Sequence, residues 1–267
     1  MNVEEALELL RMLTRDESSL SLLMDIYLCK IRIGMLIKNK KLIEENFEAA
    51  IDVCERGCDW DRRNKFKIYQ AIYYLHKGDF KKTADFFSDS LPSFEKNEVV
   101  SYKDAVEYLI FSGMFAYDRN DINKKLYTSP EVLEICNVES INLITNFYEC
   151  NYYDFLPSLY IYIKKLEDDL YLKCFLNLFC KEMKIKIYKQ LLKSYQMLSL
   201  KNMANVFGIS EDYLEDDLGN FISKKRLNCK IDKVSNIVVL NDDENNDMNN
   251  FVEFGENLVR EISKKIN

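Results

Sequence analysis

Histidine, glycine and proline are scarce in this 267-residue chain, which contains one, seven and three of them. Because glycine and proline interrupt helices, their low number favours long helices joined by short turns. With His76 as the single histidine, every metal site that needs two histidines is excluded, including the HExxH zinc motif. The seven glycines never cluster, which excludes a glycine-rich phosphate-binding loop.

The sequence also lacks a catalytic constellation. A Ser-His-Asp or Cys-His arrangement would have to be built on His76, and no nucleophile motif accompanies it, so we interpret His76 as a surface or helix-packing residue. Cys54 and Cys58 are four residues apart and could share a helix face, but without a second ligand pair they indicate packing. We therefore predict no catalytic, cofactor-binding or metal-binding residues, and a protein that is not an enzyme.

Segments that would direct the chain to a membrane or out of the cell are missing as well. The N-terminus, MNVEEALELL, carries acids where a signal peptide needs a basic start, and no apolar run approaches the ~20 residues of a membrane span. The eight cysteines lie in apolar helical surroundings, which predicts reduced core residues. We expect a protein of the cytoplasm and nucleus that does not bind membranes.

What the chain does have is helical periodicity over residues 3–198. Turn-like breaks at Asn39, Gly78 and Asn120 are 39 and 42 residues apart, a spacing typical of stacked helical hairpins. The stretch AIYYLHKGDFKKTADFF (71–87) resembles a tetratricopeptide (TPR) hairpin, with Ala71 as the small residue and Gly78 at the turn. An irregular α-helical bundle is the alternative interpretation.

Near residue 172 the pattern changes. We predict a long helix over 172–198, a short helix capped by Ser199 that ends at Gly208, and a third helix capped by Ser210. LNCKID (227–232) then alternates in polarity, and IVVL (237–240) makes a return strand. Three helices and a hairpin describe a winged-helix module.

The third helix of this module is acidic. Residues 210–223 contain five acids and no lysine or arginine, and burying Leu214, Leu218, Phe221 and Ile222 turns most of those acids outward. Such a face repels a phosphate backbone, and the chain as a whole has a net charge of −7. A basic cluster that includes Lys230 and Lys233 is expected to complement the acidic helix or a partner's acids. The sequence thus argues against nucleic-acid binding.

Beyond the wing, NDDENNDMNN (241–250) is polar and acidic and predicts a flexible linker. An amphipathic terminal helix is expected after it. Its apolar stripe is Phe251, Phe254, Leu258, Ile262 and Ile266. This stripe fits either docking on its own domain or a helix bundle with partner proteins.

Residues 181–238 resemble a known family. The segments LLKSYQMLSLKNMANVFG and RLNCKIDKVSNIV are similar to the PCI domain of the non-ATPase lid subunit 6/7 family of the 26S proteasome regulatory particle. YQAIYYLHKGDFKKTADFFSDSLPSF resembles the helical repeats of that family, so the likeness covers about residues 60–240. Lys225 stands where the family usually has glycine, and the N-terminal region is expected to be shorter than is common there.

The resemblance implies a mainly α fold, in which a right-handed superhelix of TPR-like hairpins (1–171) precedes a PCI winged helix (172–241), a linker and a C-terminal helix (242–267). It implies a non-catalytic lid subunit that scaffolds assembly for ubiquitin-dependent degradation, contacting other PCI-domain lid subunits and the ATPase ring in a hetero-oligomer. Together with the alternation of the wing, it predicts the partner-binding residues. They are Arg226, Asn228, Lys230, Asp232 and Lys233, plus the terminal stripe.

Two alternatives stay open at this point. One is the paralogous PCI scaffold subunit of the signalosome, which shares the domain plan. The other is a PCI subunit of a translation-initiation or messenger-RNA-export complex, for which the acidic third helix is unfavourable.

Overall fold

The computed structural model describes residues 3–16, 19–94, 98–195 and 197–240 of the chain. Helices dominate this part, and one small antiparallel sheet lies near its C-terminal end. Two compact units divide between Leu109 and Ile110. The predicted mainly α class is confirmed, while the superhelical winding and the domain bounds at 171/172 and 241/242 stay predictions.

The first unit is built from five helices and the start of a sixth, which spans the division. They are α1 (Val3–Asp16), α2 (Leu20–Leu36), α3 (Lys40–Glu55), α4 (Trp60–Lys77), α5 (Phe80–Ser90) and α6 (Tyr102–Ala116). A short 3₁₀ turn, Leu91–Ser93, follows α5.

Helices α2 and α3 form the first predicted hairpin. Asn39 ends the turn between them, because its side-chain oxygen accepts a hydrogen bond from the Leu42 N–H at 3.2 Å and caps α3. The helices approach closely at Gly34, where a Cβ would lie 2.8 Å from Ile43 Cγ1. Met24 and Phe47 are buried in the core that this hairpin shares with α4. The predicted break at Asn39 is confirmed.

The TPR-like stretch folds as the α4–α5 hairpin. Gly78 has φ of 75°, the left-handed conformation that glycine adopts without strain, and ends α4. The Asp79 side chain caps α5 by accepting from the Lys82 N–H. Ala71 and Phe87 are fully buried, as the repeat pattern predicts. The turn at Gly78 is therefore confirmed.

The second unit contains the remaining helices and the sheet. The helices are α7 (Arg119–Ile122), α8 (Pro130–Ile135), α9 (Val138–Tyr148), α10 (Tyr152–Lys165), α11 (Leu176–Leu192), α12 (Leu200–Phe207) and α13 (Glu211–Ser223), and the strands are β1 (Met197–Ser199), β2 (Cys229–Asp232) and β3 (Ile237–Leu240). Short non-α turns occupy Asn123–Tyr127 and Lys173–Phe175. Fully buried aromatic rings fill the core, such as Phe111 stacked on Phe179 at 4.3 Å.

The predicted turn at Asn120 is wrong, because Asn120 lies inside the short helix α7 and the break falls at 117–118. Lys186 of α11 caps the C-terminal end of α6. Its Nζ donates to the Met114 carbonyl at 2.7 Å and to the Tyr117 carbonyl at 3.4 Å, satisfying carbonyls at the C-terminus of α6. Burial lowers the pKa of Lys186 to about 8.

The predicted long helix over 172–198 is also too long. Helix α11 covers only Leu176–Leu192, where Ile187 and Tyr188 are buried as predicted, and Tyr195 is half exposed. Residues 197–199 instead form β1, which pairs with β3 through Met197↔Val239 and Ser199↔Ile237. Backbone pairing with a distant strand thus overrides the helical periodicity that continues through Leu198.

The predicted wing is confirmed. Strand β3 lies between β1 and β2 and pairs antiparallel with both, with Cys229↔Leu240 and Asp232↔Ile237 at the ends of the β2–β3 ladder. Asn236 has φ of 52° in the turn, a conformation that asparagine tolerates.

Candidate protein interface

The second and third helices of the winged helix, α12 and α13, are both capped by serine. Ser199 Oγ accepts from the Asn202 N–H and starts α12, and Ser210 Oγ accepts from the Tyr213 N–H and starts α13. Gly208 ends α12 with φ of 64°. All three caps are as predicted, and they place α13 against α12 with Leu214, Leu218 and Phe221 buried. Ile222 is half-buried.

Gly208 and Gly219 offer a matched pair of substitutions. Gly208→Ala is expected to lower the free energy of unfolding by at least ~1–2 kcal/mol, because alanine is strained at positive φ and its Cβ would lie 2.7 Å from the Tyr153 ring. Gly219→Ala, inside α13 with open space around its Cβ, is expected to raise it by about 0.5–1 kcal/mol. Urea unfolding followed by circular dichroism distinguishes them, and changes of the same sign would contradict this assignment.

Helix α13 ends in a Schellman motif that has lysine at the usual glycine position. Lys225 has φ of 55°, its N–H donates to Ile222 O, and the Arg226 N–H donates to Phe221 O, both at 2.9 Å. The turn therefore still forms with lysine in place of the usual glycine, but the backbone of Lys225 is strained because a β-carbon is unfavourable at positive φ.

Lys225→Gly is expected to raise the free energy of unfolding by up to about 1 kcal/mol. It relieves the left-handed strain of a β-carbon, which is partly offset by the greater freedom of glycine in the unfolded chain. Lys224→Gly is the control. Lys224 is exposed and has a negative φ, so glycine at this position is expected to lower the free energy of unfolding. A lower midpoint for Lys225→Gly in urea would contradict the argument.

The Schellman turn sends Arg226 into the interior. Arg226 is 8% and Glu182 4% exposed, and the guanidinium Nη2 donates to both Glu182 carboxylate oxygens at 2.7 Å. The structure thus places this predicted partner-binding residue in an internal ion pair that ties the end of α13 to α11.

The acids of α13 do not form one solvent face. Glu215 pairs with Lys233 at 2.6 Å, and Asp217 turns inward against α11. Glu211, Asp212 and Asp216 remain exposed. The prediction that most of these acids point outward therefore holds for three of them, and the expected link between the basic cluster and the acidic helix is confirmed through Lys233.

Asp217 is the centre of a polar cluster that is buried at Lys184 and Tyr188 and exposed at Tyr160 and Tyr213. Its Oδ2 accepts from Lys184 Nζ at 3.1 Å and from the Tyr188 hydroxyl at 3.0 Å, and Lys184 also donates to the Tyr213 hydroxyl at 2.5 Å. Tyr160 OH lies 3.4 Å from Tyr213 OH at the surface end. Burial by itself lowers the pKa of Lys184, but the hydrogen bond to Tyr213 and the charge of Asp217 outweigh it and raise that pKa.

On the wing, both predicted residues of β2 lie at the surface. Lys230 and Asp232 are exposed, and Asn228 just before the strand is half-buried. The Ser235 hydroxyl and the Val234 N–H both donate to Asp232, which lowers the pKa of its carboxyl and closes the β2–β3 turn. Strand β2 lies at one edge of the three-stranded sheet, so its outer side is placed where a partner strand or surface can cover it.

Among the other predicted features, the terminal stripe Phe251–Ile266 lies outside the described residues. Helix α3 ends at Glu55, so the expectation that Cys54 and Cys58 share a helix face is wrong. Within the described ranges, we find no group of three His, Cys, Asp or Glu side chains arranged for a metal ion, and no helix long and apolar enough to span a bilayer. The sequence did not predict the roles of Glu182 and Lys184, although charged residues that interrupt the apolar face of α11 were a signal for them. Strand β1 was also not predicted.

Comparison with known proteins shows which proteins this chain is similar to. The family model described as 26S proteasome subunit RPN7 matches residues 1–125, and the PCI domain model matches residues 154–242. The chain is 32% identical over 265 residues to the 26S proteasome non-ATPase regulatory subunit 6 of Dictyostelium discoideum, covering 98% of this chain and 69% of that protein. The chain belongs to the family of 26S proteasome non-ATPase regulatory subunit 6, also called RPN7.

Two fungal members of the family agree. The 26S proteasome regulatory subunit RPN7 of Saccharomyces cerevisiae is 36% identical and that of Schizosaccharomyces pombe is 33% identical, each over 90% of this chain. The chain spans 58% and 62% of these two proteins' own lengths. The resemblance noted in the sequence is confirmed, as is the PCI domain.

Proposed function

We propose that this chain is a non-catalytic structural subunit of the 26S proteasome regulatory particle lid, where it scaffolds assembly for ubiquitin-dependent protein degradation. The observation that carries the proposal is the order of modules in one chain: helices matching the RPN7 family precede an intact winged helix matching the PCI family. The relatives described above are named as regulatory subunits of the proteasome, so the signalosome alternative is not favoured.

The charge and burial of the winged helix support a protein partner. Three acids of α13 are exposed, which disfavours a phosphate backbone, while Lys230 and Asp232 present charges of both signs on the edge strand β2. The partners proposed are other PCI-domain lid subunits and the ATPase ring in a hetero-oligomer, without direct contact to nucleic acid or membrane. The corresponding location is the cytoplasm and nucleus.

Affinity purification of the tagged full chain from its own cells tests this function. We expect the proteasomal ATPases and several PCI-domain subunits to co-purify in comparable amounts, quantified by mass spectrometry. Recovery of signalosome subunits alone, or of ribosomal proteins alone, would overturn the proposal.

Removing residues 245–267 is expected to weaken recovery of the other subunits at least tenfold, because the predicted terminal stripe is proposed to join a helix bundle with them. The isolated chain should keep its helicity and melting temperature. A matched control retains the full length but replaces Phe254, Leu258 and Ile262 with serine, and it should weaken recovery to the same extent. Loss of the isolated fold in either variant would show instead that the tail packs on its own chain.

A further inference from the structure

Cys54 and Cys58 lie on either side of the turn that ends α3, and both are free thiols. Gly57 between them has φ of 104°, a conformation that glycine adopts without strain, and its N–H donates to the Cys54 carbonyl at 3.3 Å. This hydrogen bond folds the chain back over the end of the helix. The two thiol side chains meet there, where Cys54 packs against the core cluster that contains Cys58.

Arg63 of α4 brings a positive charge to this turn. Its Nη2 donates to the Cys54 carbonyl at 3.2 Å, and its guanidinium also lies against the Cys58 thiol. A guanidinium beside a cysteine favours the thiolate, which is the form that reacts with oxidants. The turn therefore combines two neighbouring sulfurs with a charge that promotes their reaction.

The two sulfurs differ in their access to solvent. Cys58 is 8% exposed, and burial raises the pKa of its thiol, as does the neighbouring Cys54, whereas the charge of Arg63 opposes this rise. Cys54 is half-buried, so a small solute can reach its sulfur. An oxidant therefore meets Cys54 first, and the Cys58 thiol is the neighbour that can complete a disulfide.

We propose that Cys54 and Cys58 form a redox modification site, which hydrogen peroxide converts to an intramolecular disulfide and glutathione converts back to two thiols. The site lies in the first unit, outside the winged helix, so the inference does not depend on the proposed role in the lid. It adds a chemical modification to a chain for which only subunit packing is otherwise proposed.

The reaction balances with hydrogen peroxide as the oxidant. The Cys54 thiolate attacks one peroxide oxygen, the O–O bond breaks, and the second oxygen leaves as hydroxide, which takes up the proton that Cys54 released and becomes water. The Cys58 sulfur then attacks the sulfur of the Cys54 sulfenic acid. The S–O bond breaks, and the leaving hydroxide takes the Cys58 proton to form a second water. Two glutathione thiols reverse the oxidation by supplying two electrons and two protons, and they leave as glutathione disulfide.

Trypsin provides the readout, because it cleaves after Arg56, between the two cysteines. The disulfide then joins peptides 42–56 and 57–62, and mass spectrometry detects them as one cross-linked species after the remaining thiols are alkylated. When the purified full chain is exposed to micromolar peroxide at neutral pH, we expect this species to form before the exposed Cys174 is oxidised. Glutathione should remove it. Oxidation of Cys174 first, or disulfides between chains in place of the cross-linked species, would overturn the inference.

Two comparisons separate a folded site from mere closeness in the sequence. Urea keeps the spacing of the two cysteines but removes the turn, so the cross-link should form about tenfold more slowly in the unfolded chain. Arg63→Gln removes the positive charge and should slow cross-linking in the folded chain about fivefold, with little change in melting temperature. Lys65→Gln, at an exposed lysine of the same helix, is the matched control and should leave the rate unchanged.

Equal rates in the folded and the urea-unfolded chain would show that the turn contributes nothing, which overturns the inference. Equal rates for Arg63→Gln and Lys65→Gln would likewise contradict the role of the guanidinium. If Arg63→Gln does not fold, the comparison of the unaltered chain with and without urea still decides.

Discussion

Replacing Arg226 with methionine is expected to lower the free energy of unfolding by about 3–5 kcal/mol. The substitution leaves the Glu182 carboxylate, 4% exposed, without the guanidinium that donates to both of its oxygens. A buried carboxylate that loses its partner keeps its desolvation cost and loses the attraction that offset it. Thermal unfolding followed by circular dichroism should show a melting temperature lower by roughly 10 °C.

Two comparisons show whether burial is the cause. Arg56→Met removes an arginine from an exposed pair with Asp52 at 3.8 Å and should change stability by no more than about 0.5 kcal/mol. The double variant Glu182→Leu/Arg226→Met removes both buried charges and should recover most of the loss. If Arg226→Met and Arg56→Met cost the same, the ion pair contributes nothing beyond a surface pair.

Arg226 also shows why partner-binding residues are hard to assign from a sequence. The alternation of LNCKID correctly separates buried Cys229 from exposed Lys230 and Asp232, because strand periodicity is a local property. Arg226 precedes that pattern, and its direction is set by the left-handed turn at Lys225. Only the folded turn brings its guanidinium to Glu182, 44 residues earlier in the chain.

The same distinction explains the rest of the fold. Caps such as Asn39, Ser199 and Ser210 and the glycine turns at Gly78 and Gly208 are predictable, because each side chain acts on backbone within a few residues. Strand β1 is not predictable in this way, since the pairing of Met197 with Val239 joins segments far apart in sequence. The side chain that caps the end of α6 likewise comes from a distant residue, Lys186 of α11.

Asp217→Ala is expected to cost about 3–5 kcal/mol, whereas Asp216→Ala beside it should cost no more than about 0.5 kcal/mol. The two acids are adjacent on α13, yet Asp216 is exposed and Asp217 accepts from Lys184 and Tyr188. Without Asp217, the ammonium of Lys184, whose side chain is 8% exposed, keeps its hydrogen bond to the Tyr213 hydroxyl but loses its counter-charge. The fully buried Tyr188 also loses the acceptor of its hydroxyl.

The pH dependence of the Asp217 pair separates charge from packing. Because the pKa of Lys184 is raised in the folded state, the stabilisation from this lysine is fully present below its unfolded pKa of about 10.4. It is lost only as pH rises through the higher folded value. In Asp217→Asn, burial is no longer opposed by the charge of Asp217, so the pKa of Lys184 is expected to fall and the variant gains stability as pH rises. The difference in unfolding free energy between the unaltered chain and Asp217→Asn, measured in urea, should therefore be smaller at pH 9 than at pH 7. An equal difference at both pH values would mean that Asp217 does not hold Lys184 as the cation, and that the cost of Asp217→Ala comes from packing instead.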